Sequence, residues 1–217
     1  MWQQAIVCTV PKPDHAHYSP AKNFHPISLL ECIGKLTEKL ILYLLYREII
    51  HHDLIPTNQF SGHMASSTLD AGLTLLHDIQ IVHVAGLQTG LLLFDIQGFS
   101  NNVNYDRLIQ VMADLYFFQE LVAWTCSFLA EQMVRLKFNG HTSDPFHSDI
   151  GTPQGLPISP VLSVIYTYAI LQKAKYQHYT SLSMYIDDRA IFACSTTWEE
   201  VKSTLSAVYT DCVSWLE

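Results

Sequence analysis

The sequence is short of positive charge. Its 217 residues include 12 lysines and arginines against 20 aspartates and glutamates, so the formal net charge is −8. The chain has 11 histidines but few arginines. The arginines are Arg47, Arg107, Arg135 and Arg189. Because nucleic-acid-binding surfaces are usually basic, this balance on its own argues against strong binding to nucleic acid.

The sequence also lacks the features of a secreted or membrane-spanning chain. Its longest apolar runs, such as 40–46 and 161–171, are too short to cross a bilayer. Residues 1–10 lack the basic start and long apolar centre of a signal peptide. The cysteines are scattered and odd in number, which favours free, mostly buried thiols in a reducing compartment over a disulfide framework or zinc knuckle. We therefore expect an intracellular protein, nuclear or cytoplasmic. The cysteines are Cys8, Cys32, Cys126, Cys194 and Cys212.

The sequence contains enough apolar residues to form a hydrophobic core. Hydrophobic residues make up 49% of the chain and aromatic residues 12%. This composition excludes a disordered protein and, at this length, suits one domain or a domain with a smaller appended lobe.

The spacing of apolar residues predicts an α+β fold. Residues 11–28 carry too many prolines for a helix and are expected to be irregular. Later segments alternate between helical and strand-like patterns, which predicts an antiparallel sheet backed by helices and preceded by a mostly helical lobe. The predicted helices are 29–52, 69–84, 105–115, 119–131, 159–176 and 197–216, and the predicted strands are 91–95, 134–139 and 146–150.

Three carboxylates stand at the ends of apolar, β-prone segments. The run 91–95 has the pattern of a buried central strand that ends at Asp95. Residues 183–191 fit a strand–turn–strand with Asp187 and Asp188 at its tip. Because neighbours on a strand point to opposite faces, these two aspartates are not expected to share one role. Taken alone, the pair is more typical of an ordinary hairpin with an acidic turn.

A third segment completes a possible site. Residues 151–157 form a Gly/Pro loop whose glycines let the backbone approach a ligand closely. Carboxylates from two adjacent strands can hold two divalent cations, which stabilise the attacking and leaving oxygens of phosphoryl transfer. Magnesium suits such a site, since it takes one or two carboxylates and fills its other positions with phosphate and water.

Several short motifs occur in a fixed order along the chain. They are Phe24-His25-Pro26-Ile27-Ser28-Leu29-Leu30, Leu93-Phe94-Asp95 with Asn102-Val103-Asn104, Phe138-Asn139-Gly140, Gly151-Thr152-Pro153-Gln154-Gly155-Leu156-Pro157-Ile158-Ser159-Pro160, and Tyr185-Ile186-Asp187-Asp188. In this order and spacing the chain resembles, over nearly its full length, the reverse transcriptase domain of non-LTR (LINE-type) retrotransposons.

The resemblance implies a right-hand polymerase that copies RNA into DNA. Residues 1–88 would be part of the fingers, and residues 89–217 the palm. The thumb is expected to be absent, because the sequence ends soon after the acidic hairpin. The implied partners are an RNA template, a DNA primer and a deoxynucleoside triphosphate, with two Mg²⁺ ions as the cofactor. No membrane and no small-molecule cofactor is expected.

The resemblance also assigns roles to single residues. Asp95 and Asp187, with Ile96 beside them, would hold the two magnesium ions, and Asp188 would assist as the neighbouring catalytic carboxylate. The residues assigned to nucleotide or template binding are Lys12, His25, Phe99, Ser100, Gln154, Gly155 and Tyr185.

The chain departs from the family pattern where nucleotide and template are held. Ser100 stands where the family has an aromatic residue that packs under the sugar, and Phe99 is a poor substitute because adjacent strand residues face opposite ways. His25 replaces an arginine, and the loop 61–68 has lost two more cations. Histidine is largely neutral at pH 7, whereas arginine stays charged and forks onto phosphate.

These losses lead to two functional hypotheses. The first is an RNA-directed DNA polymerase domain that is poorly active on its own. The second is an inert remnant of a decayed element with weak or no affinity for nucleic acid, because each lost phosphate contact weakens binding. The neighbouring histidines His51 and His52 are interpreted as solvated helix-end residues and not as metal ligands, and Tyr166 as a core residue.

Overall fold

The fold consists of two compact units whose chain segments interleave. A computed structural model describes residues 4–14, 17–54, 59–61, 67–96, 99–130, 132–148, 151–168, 180–185 and 188–216. The first unit comprises residues 1–52 and 98–163, and the second comprises 53–97 and 164–217. The division at residue 88 between fingers and palm stays a prediction.

Short runs of strands and short runs of helices follow one another along the chain, as in an α+β fold. The strands are β1 (Gln4–Pro11), β2 (Phe24–Leu29), β3 (Gln88–Asp95), β4 (Met133–Phe138), β5 (His141–Thr142), β6 (Phe146–His147), β7 (Thr180–Tyr185) and β8 (Asp188–Ser195). The α-helices are α1 (Cys32–His51), α2 (Thr68–Val84), α3 (Tyr105–Asp114), α4 (Gln119–Ala130), α5 (Ser159–Tyr166) and α6 (Trp198–Leu216), and short 3₁₀ helices occur at Ala21–Asn23 and Phe99–Asn101.

The sheet of the first unit begins with two strands that the sequence did not predict. Its order is β2-β1-β4-β5, with β2 antiparallel and β4 parallel to β1. The expectation that residues 11–28 are irregular is therefore wrong for Pro11, which ends β1, and for residues 24–28, which lie in β2. Prolines exclude a helix but not an outer strand. Pro26 lies in β2 and pairs with Thr9 of β1, and β2 is an outer strand of the described sheet.

Helix α1 buries a different face from the one that its apolar spacing indicates. It begins at Cys32, not at Leu29, because Leu29 still pairs within the sheet. The apolar side chains Ile33, Leu36 and Leu40 are each about 60% exposed, at 62%, 59% and 61%. The buried positions follow another helical stripe, which includes two carboxylates: Gly34, Glu38, Leu45, Glu48 and Ile49.

One face of the sheet in the second unit packs on α6, and the other face is exposed along β3 but buried at Phe192 of β8, which is 5% exposed. Its order is β3-β8-β7, and both pairings are antiparallel. The covered face packs on α6: a Cβ on Gly90 would come within 2.5 Å of Val201 Cγ1, and the Phe94 ring contacts the Tyr209 ring at 5.5 Å. On the opposite face Leu93 is 66% exposed. The predicted antiparallel sheet backed by a helix is confirmed.

The prediction of a buried central strand at 91–95 is wrong. β3 is an outer strand of the described sheet, and the central position belongs to β8. A continuous apolar run was taken to mean burial on both faces, yet Leu91 and Leu93 face solvent. The run ends at Asp95, as predicted.

Most of the other predicted boundaries agree with the structure to within a few residues. Ser67 caps α2 in a capping box, donating its hydroxyl hydrogen to Asp70 Oδ2 at 2.6 Å while the Asp70 amide donates to Ser67 Oγ at 3.3 Å. The Ser67 hydroxyl and the Ser67 amide both donate to the Asp70 carboxylate and hold the pKa of Asp70 below its ordinary value. Asn139 and Gly140 form the predicted turn, both with positive φ.

Helix α5 starts differently from the prediction. The pair Ser159-Pro160 is typical of an N-cap followed by proline in the first turn, but Ser159 is itself the first residue of α5, and its hydroxyl donates to the Pro153 carbonyl at 2.6 Å. The α5 element ends at Tyr166, and residues 169–179, where the predicted helix continued, lie outside the described residues. The Tyr166 ring packs on Trp215 at 5.5 Å, which confirms it as a core residue.

All five cysteines are free, as predicted, but they are not mostly buried. Cys212 is buried, Cys8 and Cys194 are half-buried, and Cys32 and Cys126 are exposed. None of the helices in the described part of the chain has the length and hydropathy that a membrane crossing requires.

Glu38 makes the stability of the protein depend on pH. The side chain is 1% exposed, and burial raises its pKa from 4.5 to about 7, although the Ile158 amide and Lys35 act to lower it. A raised folded-state pKa means that full stability is present below pH 4.5 and is lost as pH rises toward 7.

We therefore expect Glu38→Gln to remove this pH dependence. Between pH 4.5 and 8 the free energy of unfolding of wild type should fall by up to about 3 kcal/mol because of Glu38. The variant should not show this fall. Urea unfolding of both proteins across this range measures the difference. A difference between the two proteins that stays constant with pH would contradict the assignment.

Candidate active site

The second unit places two of the predicted carboxylates opposite each other. In the antiparallel register of β3 and β8, Asp95 pairs with Asp188 at the end of the ladder. Directly paired residues share a face of the sheet, with Cβ atoms about 5 Å apart. Both side chains are exposed. The register thus brings carboxylates from two adjacent strands together, and their roles in metal binding and catalysis stay predictions.

The predicted acidic hairpin is present at the same end of the sheet. β7 ends at Tyr185, which pairs with Asp188 at the start of β8. The two residues between them in sequence, Ile186 and Asp187, lie outside the described residues, so the predicted metal ligand Asp187 stays a prediction. Ile96 directly follows β3 and is half-buried.

The carboxylate pair is electrostatically unusual for a sheet. Two like charges directly opposite each other destabilise a strand pairing unless an opposite charge is bound between them. Arg189, the neighbour of Asp188, pairs with Phe94 and is 2% exposed. Its guanidinium lies 5.9 Å from the centre of the Phe94 ring, on the α6 side of the sheet. A buried positive charge thus lies on the face opposite the two carboxylates.

The donor set fits a hard divalent cation. Aspartate oxygens are ligands that magnesium prefers, and the exposed end of the sheet leaves room for water and phosphate. Within the described ranges no three His, Cys, Asp or Glu side chains cluster to hold a metal ion. Asp95 and Asp188 provide two carboxylates, and Asp187 belongs to a part of the chain that is not described.

In the first unit, the loop 151–157 is held closely against its own chain. Gly151 has φ +85°, and a Cβ there would come within 2.8 Å of the Ser100 carbonyl oxygen and 2.9 Å of Asn101 Cα. The Thr152 amide donates to the Ser100 carbonyl at 2.6 Å. The Tyr105 hydroxyl donates to the Gly151 carbonyl at 2.9 Å.

Gln154 and Gly155 are held against β2. The Ser28 amide donates to the Gln154 carbonyl at 2.7 Å. Gly155 has φ +91°, and a Cβ there would come within 3.0 Å of Ile27 Cγ2. The glycines were expected to let the backbone approach a ligand; the contacts among the described residues explain both of them by approach to the protein's own backbone and side chains.

The segment with Phe99 and Ser100 is a 3₁₀ helix and not a strand. The argument that these neighbours face opposite ways as in a strand is therefore wrong. Phe99 is 4% exposed and belongs to the core of the first unit, whereas Ser100 is half-buried. Their roles toward the nucleotide stay predictions.

Lys12 and His25 lie at the same end of the β1–β2 pair. His25 pairs with Val10 and is exposed, and Lys12 directly follows β1. The Lys12 amide donates to the Asn23 carbonyl at 2.9 Å, and the Lys12 carbonyl accepts from the Tyr18 hydroxyl at 2.8 Å. The structure thus brings these two predicted finger residues together at one strand end.

Sequence reasoning missed three buried charged residues, Glu38, Glu48 and Arg189. Glu38 lies on the same helical face as the buried residues Gly34 and Leu45. Testing each helical face for burial without regard to polarity could therefore have indicated it. Arg189 follows the acidic pair in a strand, where alternation predicts that it points away from Asp188 into the core.

This geometry, with paired carboxylates at the end of an antiparallel sheet backed by a helix, is the one expected of a polymerase palm. A family model described as "Reverse transcriptase (RNA-dependent DNA polymerase)" matches residues 10–217. The chain therefore belongs to the reverse transcriptase family.

Two curated relatives come from Drosophila melanogaster transposons. The chain is 26% identical over 219 residues to the "Probable RNA-directed DNA polymerase from transposon BS", covering 99% of this chain and 24% of that protein. It is 24% identical over 175 residues to the corresponding protein of the X-element, covering 79% of this chain and 19% of that protein. The chain thus spans a quarter or less of these relatives.

Solved telomerase structures share the fold. Apo telomerase from Candida tropicalis, truncated from its C-terminal domain, superposes with a TM-score of 0.68 at 13% identity, covering 98% of this chain and 46% of that one. Telomerase from Candida albicans, in complex with a fragment of telomeric RNA, gives a TM-score of 0.65 at 10% identity, covering 96% and 40%. Identities this low show the fold alone.

The close approach at Gly151 predicts a large effect of a single methyl group. We expect Gly151→Ala to destabilise the protein by roughly 2–4 kcal/mol, because it combines a left-handed backbone conformation with a backbone clash. Gly140→Ala is the matched control, since Gly140 also has a positive φ of +79° but no atom within 4 Å of the added Cβ. The control should lose only about 1 kcal/mol.

Urea unfolding of the two variants and wild type measures this difference. Equal losses of stability in the two variants would show that the loop is not packed against Ser100 and Asn101.

Proposed function

We propose that the chain is an RNA-directed DNA polymerase domain that transfers nucleotides with two divalent metal ions. The observation that carries the proposal is the in-register pair of Asp95 and Asp188, exposed at the end of the β3–β8 ladder. Such a like-charge pair costs stability without a bound cation, so its presence in a reverse transcriptase fold supports a metal-binding role.

Asp95 and Asp188, with Asp187 between the hairpin strands in sequence, would hold the metal ions. When bound, a pair of Mg²⁺ ions would stabilise charge on the attacking and leaving oxygens of the phosphoryl group. The protein's own contribution is to hold the carboxylates in place. β3 and β8 fix them through eight consecutive residue pairs, and α6 packs beneath through Gly90 and Phe94.

Nucleotide and template binding would fall to the residues that the family resemblance assigns. Lys12 carries a full charge for a phosphate, whereas His25 supplies one only when it is protonated. Gln154, Gly155 and Tyr185 would contribute polar and backbone contacts, and Ser100 is too small to pack under a sugar. The partners would be an RNA template, a DNA primer and a deoxynucleoside triphosphate.

We further propose that this chain binds nucleic acid weakly and polymerises slowly. The net charge of −8 and the few arginines reduce the number of phosphate contacts that it can make. An inert remnant of a decayed retroelement is the second candidate, and the same features support it. The intact carboxylates favour the polymerase.

Primer extension on an RNA template with Mg²⁺ separates the two candidates. We expect slow extension by the wild-type chain and none by Asp95→Asn, Asp187→Asn or Asp188→Asn, because an amide cannot replace a carboxylate toward a hard cation. Asp211→Asn is the matched control, since Asp211 is an exposed carboxylate on α6 in the same unit, and it should extend like wild type.

Extension that survives the loss of these carboxylates would contradict the proposed site. A wild-type chain that neither extends the primer nor retains the RNA template, while remaining folded, would support the inert remnant.

A further inference from the structure

Helix α1 exposes a row of apolar side chains to solvent. Ile33, Leu36, Leu40, Tyr43 and Ile50 are between 59% and 68% exposed, and the buried residues of the helix lie on another face. A surface helix normally turns its apolar stripe toward the core. A contiguous apolar patch that stays exposed marks an interaction site. The proposed active site uses none of these residues.

The exposed row has the repeat of a coiled coil. Its spacing along the sequence is 3, 4, 3, 4 and 3 residues, from Ile33 to Ile50, with Arg47 at the one position that is not apolar. We call these six residues the α1 seam. They occupy consecutive a and d positions, whose mean spacing of about 3.5 residues is the period of a helix that packs along a second helix. The seam is about 26 Å long, which suits contact with one partner helix.

The charged side chains on the exposed side of α1 are positive. Lys39 and Arg47 are exposed, and within the described ranges neither of them forms an ion pair. The two carboxylates of the helix, Glu38 and Glu48, lie on its buried side and are 1% and 3% exposed. Two cations therefore lack a counter-charge, although the net charge of the chain is −8. A partner helix with carboxylates beside its apolar row would supply the counter-charges.

Other occupants fit these features less well. Two copies of α1 paired through the seam would offer no carboxylate to Lys39 or Arg47, in either orientation of the helices. An anionic membrane surface would be repelled by the net charge, and a single a/d row is narrower than the apolar face of an interfacial helix. Single-stranded RNA stacks on aromatic side chains, whereas Tyr43 is the one aromatic residue of the seam.

We propose that the α1 seam binds an amphipathic α-helix with apolar residues at its a and d positions and glutamates or aspartates beside them. The apolar side chains of the partner would pack between those of the seam, and its carboxylates would lie beside Lys39 and Arg47. Arg47 occupies an a position, where a charged residue fixes the register of the two helices. This inference goes beyond the proposed polymerase function and does not depend on it.

A synthetic helical peptide tests the proposal. The peptide has three heptads, with leucine at every a and d position and glutamate at every e and g position, and it carries a fluorescein label. Fluorescence anisotropy measures its binding to the full chain, and we expect saturable one-to-one binding by wild type. A matched peptide with lysine in place of glutamate should bind about tenfold more weakly, because its charges repel Lys39 and Arg47.

Substitutions in and beside the seam locate the binding. Leu36→Glu and Leu40→Glu should each weaken binding of the glutamate peptide about tenfold or more, because each places a charge within the apolar contact. Leu73→Glu is the matched control, since Leu73 is 55% exposed on α2, and it should bind like wild type. The double variant Lys39→Glu with Arg47→Glu should bind the lysine peptide more tightly than the glutamate peptide.

The proposal is overturned if wild type does not bind the glutamate peptide or binds the two peptides equally, or if the seam variants bind like wild type. Dimerisation in sedimentation, or binding to vesicles of anionic phospholipid, that Leu40→Glu abolishes while the peptide fails to bind would assign the seam to a second copy or to a membrane. Urea unfolding checks that each variant is folded. If a leucine variant does not fold, the double charge variant decides, because it changes exposed charged residues only: reversed preference supports the proposal, and unchanged preference overturns it.

Discussion

The repulsion between Asp95 and Asp188 is the constraint on which the second unit depends. Like charges paired directly across two strands cost about 0.2–1 kcal/mol, so the sheet must hold them in place by other contacts. Eight consecutive pairs between β3 and β8 do this, and Gly90 lets α6 pack closely beneath. A slip of one residue would turn Asp95 toward α6 and bury it. Register and function are thus linked through one residue pair.

In the first unit the main structural constraint is to hold the Gly/Pro loop 151–157 in one conformation. Its two glycines adopt backbone angles that other residues resist, and each approaches another part of the same unit. The Ser100 carbonyl and the Ser28 amide restrain successive residues of the loop. The short-range sequence pattern of the loop therefore depends on partners that are distant in the chain.

The sequence predicted the class of fold, most helices and the acidic hairpin, because these depend on local periodicity and turn residues. Predictions from the sequence failed where tertiary contacts determine which residues pair and which are buried. Pro26 was read as a break, but an outer strand tolerates proline. Leu91 and Leu93 looked buried, yet one face of β3 is open. Glu38 was missed because charged residues are expected at the surface. That Asp95 lies directly opposite Asp188 follows from the register of β3 and β8, which no local sequence pattern specifies.

The most direct test of the account is whether Asp95 and Asp188 bind a cation as one unit. Mn²⁺ can be titrated by electron paramagnetic resonance into wild type, Asp95→Asn, Asp188→Asn and the double variant. The account predicts that each single substitution weakens binding by about tenfold or more and that the double variant is little weaker than either, as expected for coupled residues. Wild-type affinity in Asp188→Asn, or losses that simply add, would contradict it.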